Sequence, residues 1–242
     1  MPMLGLRAAP SIIRAAGRFG SGLQREKARI MDGRIWRVLA ALLMMLWAGS
    51  AGAQTAAAIG SVTALIGQAQ VTHEGAAAAR PLAPGANVFE NDRIRTAADA
   101  KLRLDMADGS VLTLGAATEL NLSRFHYAPE AAARNVLLEV PRGIIRVLVN
   151  LLVANSTFDL QTHTAVASVR GTDWIAEAQP DATAIVGLAG RVAVRSDEAA
   201  IGGAVVLLPG DGTTVRAEQP PSAPTQWGAA RKNSFIERTA LP

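Results

Sequence analysis

Residues 94–122 constrain this chain more than any other stretch, because apolar and polar side chains alternate there with period two. Leu102, Leu104 and Met106 alternate with Lys101, Arg103 and Asp105, Leu112 and Leu114 flank Thr113, and Leu120 and Leu122 flank Asn121. Such alternation puts the apolar groups on one face of a strand and the polar groups on the other. Asp108-Gly109 separates two of these runs, and an Asp-Gly in that position signals a hairpin built on a type I′ turn. The stretch predicts half-buried antiparallel strands over a single core, and it contains no evident chemistry.

The rest of the chain keeps the same rhythm. Short apolar runs fall at 62–67, 69–73, 135–140, 144–152, 156–162, 165–169, 174–178, 204–208 and 213–216. Gly187 and Gly190 mark a hairpin between 184–186 and 192–194, Pro141-Arg142-Gly143 reads as a turn, and 123–134, with Phe125 and Tyr127, reads as a loop. About a dozen strands with turn signals every 8 to 12 residues imply an all-β domain. The mostly short connections favour antiparallel neighbours. The expected fold is a single, mostly antiparallel β-sandwich or jelly-roll-like domain over 59–216, with a β-solenoid-like arrangement as the alternative. A Pro-containing tail follows from 217 to 242, with a short helix over 226–238.

The N-terminal part has a different character. Val38–Ala48 is an apolar run of eleven residues, preceded by Arg34 and Arg37 and followed by Ala51-Gly52-Ala53. Basic n-region, short apolar core and small-x-small exit describe a signal peptide over 31–53, cleaved after Ala53, with a spacer over 54–58. Residues 1–30 form a basic extension. They reflect either a start placed upstream of Met31 or a cytosolic tail before an uncleaved anchor, and basic residues suit that side of the membrane in either case. The expected location is therefore periplasmic or secreted, with a single-pass membrane protein as the alternative. The net charge of +4 belongs to this leader: 1–53 holds eight Lys or Arg against Glu26 and Asp32, leaving 16 basic and 18 acidic residues for the remainder. That balance removes the electrostatic basis of nucleic-acid binding. With no cysteine, disulfide frameworks and thiolate metal sites are excluded.

No residue pattern points to catalysis. Asp105, Asp108 and Glu119 fall near one another in the predicted hairpins, but Asp105 and Asp108 are expected on solvated surface. Glu90, Asp92 and Asp108 lack the spacing of a calcium loop, and His73, His126 and His163 are too scattered for zinc. Ser110 and Ser168 lack a nucleophile-elbow context. Gly187-x-x-Gly190 lacks a phosphate-cradling helix. Arg170-Gly171-Thr172-Asp173-Trp174 is the best local signature: Gly171 suits a conformation other residues resist, Thr172 is expected to bond a backbone group, and Trp174 to fill the core. Arg170 and Asp173 form a candidate partner-facing rim. Phe125, Tyr127 and Trp227 could stack on sugars or anchor a partner if exposed.

The ordered series of Asp92-x-Ile94-x-Thr96, Asp108-Gly109-Ser110, 138–143, Phe158-x-Leu160-x-Thr162 and Val169-Arg170-Gly171-Thr172-x-Trp174 resembles the FecR domain family over about residues 59–215. The resemblance implies an all-β domain outside the cytoplasmic membrane. It also implies a signalling context, in which the best-known members join such a domain to a cytosolic anti-sigma segment. This chain departs from those members in having no cytosolic domain of useful size and a hydrophobic run that reads as cleavable. The expectation is a non-enzymatic protein-interaction or signal-sensing module without cofactor or metal, its partner an envelope protein. The alternatives are a binder of peptidoglycan or another envelope glycan and a membrane-anchored signal-transduction regulator, in which the membrane is engaged only through an uncleaved leader.

Overall fold

The computed structural model describes residues 57–149 and 155–241. The expected extension, signal peptide and most of the spacer lie outside them, as do residues 150–152 of the strand expected at 144–152. Residues 55–242 form a compact unit of their own.

The chain is built of strands. In order they are β1 (Gly60–Ile66), β2 (Ala69–Thr72), β3 (Arg80–Pro81), β4 (Asn87–Val88), β5 (Arg93–Thr96), β6 (Lys101–Met106), β7 (Val111–Leu114), β8 (Glu119–Ala128) and β9 (Ala133–Leu148). There follow β10 (Asn155–Gln161), β11 (Ala165–Val169), β12 (Asp173–Ala178), β13 (Ala182–Ala189), β14 (Val192–Ser196), β15 (Ala204–Leu207), β16 (Asp211–Arg216) and β17 (Thr225–Gln226). The one α-helix among the described residues, α1 (Ala229–Thr239), comes last.

Two layers result. Sheet I runs β4-β1-β6-β7-β9-β12-β13-β16-β17, and sheet II runs β3-β2-β5-β8-β9-β10-β11-β14-β15. Strand β9 belongs to both: 133–142 pair with β8 in sheet II, whereas 143–148 lie between β7 and β12 in sheet I. The inward faces share one core, with Leu102, Leu104, Leu112, Trp174 and Ile185 from sheet I and Ile94, Leu120, Leu138, Phe158 and Val194 from sheet II. The all-β expectation is met by a sandwich whose chain repeatedly passes from one layer to the other. In one place it coils like a solenoid. Strand β10 pairs in parallel with the first half of β9, Asn155 opposite Ala133, and a parallel pair needs a long crossover. The second half of β9, in the opposite sheet, is part of that crossover.

Several local expectations are corrected. Pro141-Arg142-Gly143 is the bend inside β9 rather than a turn that ends a strand. Residues 123–128 continue β8, and a 3-10 turn at Pro129–Ala131 leads into β9. Gly187 and Gly190 do not close a hairpin: β13 pairs with β12 and β16, β14 pairs with β11 and β15, and the chain changes layers between them. Residues 101–114 do form a hairpin, Asp105 opposite Val111, but only Gly109 of the Asp-Gly pair has positive φ, 79°. That geometry suits a three-residue connection ending in a left-handed residue rather than type I′.

Threonine hydroxyls tie the corners where the chain changes layers. Thr96 Oγ1 donates to Gly115 O at 2.7 Å and accepts from Thr118 N at 2.9 Å. Thr118 Oγ1 in turn accepts from Ile144 N at 3.0 Å and donates to Ile144 O at 3.1 Å. Gly143, at φ +97°, abuts Thr118 so closely that a Cβ would overlap it. A second group, Thr162, Thr164 and Thr183, is joined by hydroxyl contacts of 2.6 and 2.8 Å, and Thr164 also donates to Val215 O. Backbone groups at a buried corner cannot bond along a ladder, and these hydroxyls satisfy them.

The segment expected as a tail is packed onto the body. Helix α1 covers the outer face of sheet I, where Ile144, Ile175 and Val186 meet Trp227 and Phe235. The indole of Trp227 lies against Gly212, where any Cβ would collide with it. Lys101 Nζ donates to Glu237 O and Ala240 O at 2.7 and 2.9 Å, which places a cation at the negative end of the helix dipole.

Candidate interaction surface

The groups most suggestive of chemistry in the sequence are used up by one another. Asp108 is buried rather than solvated. Its carboxylate accepts from Ser110 N at 2.9 Å and Ser110 Oγ at 2.7 Å and pairs with Arg134 Nη1 at 3.1 Å, both side chains fully inaccessible. Arg134 also donates to Ser156 Oγ and lies 5.5 Å from the Phe158 ring centroid. Asp105 is the solvated one, half exposed beside Arg103 and Thr63. Glu119 pairs with Arg95 and Arg142 at the surface, well separated in function from Asp108, so no acid–base pair is formed from these carboxylates. Among the described residues no cluster of three or more His, Asp or Glu could hold a metal ion.

The histidines behave unequally. His126 and His163 are exposed. His73 is engaged: its Nδ1 lies 2.7 Å from Oδ1 of buried Asp92, whose Oδ2 accepts from Phe89 N at 2.8 Å. The pair stitches β2 to the turn before β5. No spacing rule could have found it, since the partners are 19 residues apart and meet only through sheet pairing.

In the 170–174 signature, Gly171 has φ +62°, Thr172 Oγ1 donates to Arg191 O at 3.1 Å, and Trp174 is completely buried. The Trp174 indole N–H finds no acceptor among the described residues. Arg170 and Asp173, expected together on one rim, are separated. Asp173 lies at the start of β12 in sheet I and holds Arg146 with two bonds of 2.9 and 2.6 Å. That hydrogen-bonded pairing raises the Arg146 pKa against the opposing effect of burial. Arg170 projects from the end of β11 in sheet II and is exposed. The aromatic candidates are also redistributed: Phe125 is buried in β8, Tyr127 is partly buried against the main core, and Trp227 is buried under α1 with Arg231 stacked on its ring at 3.6 Å. The free ring faces a glycan site would need are therefore taken up by packing, and the glycan reading has no support in the structure.

Among the described residues, nothing covers the outer face of sheet II near strand β15. Asp159, Ser168, Ala193 and Val206 stand side by side across β10, β11, β14 and β15. Two positions further along, Arg170, Arg191 and Leu208 follow the Val169–Val192 and Val192–Leu207 pairs. The small side chains of Ser168 and Ala193 leave a trough of about 730 Å³ bounded by Arg170, Arg191, Phe158 and Val206. Val206 and Leu208 are 53% and 49% exposed, two of the three large apolar side chains exposed among the described residues. Among the described residues strand β15 pairs with β14 alone, so its other edge has no ladder partner among them. The sequence hinted at this site only through Arg170; the trough depends on register.

Comparison with known proteins finds a family model that matches part of this body. No curated protein matches the chain. Two solved structures of a protein described as a "putative anti-sigma factor" from Parabacteroides distasonis, at 1.65 and 2.50 Å resolution, align at 20% identity with a TM-score of 0.48 over 60% of this chain. The aligned part is 63% to 64% of the solved chains, so this chain spans less than two thirds of their length. No helix among the described residues is long and apolar enough to cross a membrane. Residues 92–193, from the His73-bonded aspartate to the row of Ala193, match the family model described as FecR protein.

Proposed function

We propose that this chain is a non-enzymatic FecR-type module of signal transduction. It works outside the cytoplasmic membrane and acts by binding an envelope protein. The observation that carries the reading is the contrast between the two outer faces. Sheet I is closed by α1, whereas sheet II ends in a free strand edge beside exposed apolar groups. An unpaired edge invites strand addition by another chain, and natural proteins otherwise blunt such edges. The family match supports the signalling context, and the mutual neutralisation of Asp108 with Arg134 and of Asp173 with Arg146 supports binding over catalysis.

The test is crosslinking of the full chain in intact cells, followed by mass spectrometry of the adducts. A recurrent heterologous envelope protein is the expected result. A chain recovered only as itself, from cells in which it is exported and folded, contradicts the reading.

A further inference from the structure

We infer that the outer face of sheet II at β15 is a docking strip for an extended segment of another protein, one that alternates apolar and acidic side chains. This inference rests on the interaction reading above and supplies its surface and the chemistry of the partner.

Two arginines carry the argument. Arg170 and Arg191 sit at neighbouring positions past the Val169–Val192 pair, both exposed, and neither guanidinium makes a hydrogen bond or ion pair among the described residues. Like charges side by side on adjacent strands are unfavourable. No carboxylate among the described residues forms an ion pair with either of them, and the nearby acids, though charged, are held by neutral donors. Asp159 accepts from Ser168 Oγ at 2.6 Å. Asp211 accepts from Leu208 N at 3.0 Å and from Gln226 Nε2 at 2.7 Å. A carboxylate from outside would be met by two guanidinium groups, which recognise it through paired N–H donors.

Register then sets the pattern. Side chains two apart on a strand share a face, so a strand added to β15 would present one residue level with Val206 and the next-but-one level with Leu208. The first faces Ala193 beyond Val206, where an apolar group covers exposed apolar surface. The second is level with Arg191 and Arg170. Neighbouring strands are about 4.8 Å apart, so an acidic side chain on the added strand and the long Arg191 side chain, two strands in, can meet above Leu208. For a strand added parallel to β15, the face therefore fits an apolar-x-acidic triplet in an extended backbone. Lys or Arg at the acidic position would be repelled.

The probes are two blocked decapeptides in a strand-forming sequence, one with a central Val-Thr-Glu and one with Val-Thr-Lys. Binding to the purified full chain is followed by fluorescence anisotropy, and the footprint by amide hydrogen exchange. The acidic peptide is expected to bind, to weaken with added salt, and to slow exchange at 204–208. The charge-reversed Arg170→Glu/Arg191→Glu variant is expected to lose at least about tenfold in affinity, and Arg170→Gln/Arg191→Gln to lose less. Because both side chains are exposed, thermal melts of the variants should match the parent, and the Gln pair serves if the Glu pair does not fold. Equal binding of the two peptides, unchanged affinity in the variants, protection elsewhere, or no binding at all overturns the inference. If the chain still crosslinks in cells to an envelope protein through another surface, the interaction reading survives and only this assignment falls.

Discussion

Arg134 and Asp108, 26 residues apart, form an ion pair at 3.1 Å from which solvent is entirely excluded. The pair joins the β6–β7 turn of sheet I to the start of β9 in sheet II, and Ser110 and Ser156 add hydrogen bonds to it. Breaking such a pair from one side leaves a buried charge uncompensated.

Asp108→Ala and Arg134→Met should each destabilise the fold by about 3–5 kcal/mol. The double variant should cost less than the two singles together. Urea unfolding of the three variants measures this as a double-mutant cycle. Single losses below about 1 kcal/mol would contradict a buried, satisfied pair.

The corner at Thr118 predicts a different signature. Thr118→Val keeps the shape but strands the Ile144 N–H and C=O, at a cost of about 1–3 kcal/mol. Gly143→Ala should cost at least as much, because a left-handed φ and contact with Thr118 both oppose a Cβ. Both are read from unfolding midpoints, with far-ultraviolet circular dichroism to confirm the β fold.

Trp227→Ala should act on stability. Its ring is packed against Phe235 and Gly212, so truncation should cost about 3 kcal/mol and speed amide exchange across 229–239. Unchanged exchange in α1 would show that the helix is held by something else.

The Arg146–Asp173 pair should make a constant contribution across neutral pH. A raised arginine pKa means its stabilisation is present in full below the unfolded value and is lost only as pH rises through the folded one, and both lie in strong alkali. Asp173→Asn should therefore lower stability by about 1 kcal/mol, by the same amount at pH 6 as at about pH 9. A difference that grows between those limits would assign the effect to another group.

The leader makes its own prediction. If 31–53 is a cleaved signal peptide, N-terminal sequencing of the exported protein begins at Gln54. Recovery of a species that retains Val38–Ala48 in the membrane fraction would instead favour an anchored regulator.

Period-two alternation carried the strands because burial on one face writes itself directly into sequence: Leu102, Leu104, Leu112 and Leu114 all point into the core as their spacing predicts. The same local logic fails where distant residues decide the outcome. Pro141-Arg142-Gly143 has turn chemistry, yet the ladder continues through it because β8 and β10 pair with the first half of β9 and β7 and β12 with the second. Asp108 looks like a solvated turn residue until Arg134 is brought to it. Phe125 and Trp227 lie in segments without clear periodicity, where composition favours burial but spacing does not say against what, and tertiary packing buries both. The candidate surface was legible only at Arg170, because the row of Ser168, Ala193 and Val206 exists only once three strands are placed in register.

The most direct measurement is a scan of single photo-crosslinking residues over the full chain in living cells, placed at Val206, Arg191, Ile66 and Arg231. The account predicts one heterologous adduct that is strong from Val206 and Arg191 and absent from Ile66 and from Arg231 on the helix-covered side. Adducts from Arg231 alone, or none from any position, would contradict the proposal that this body binds its partner through the β15 edge of its second sheet.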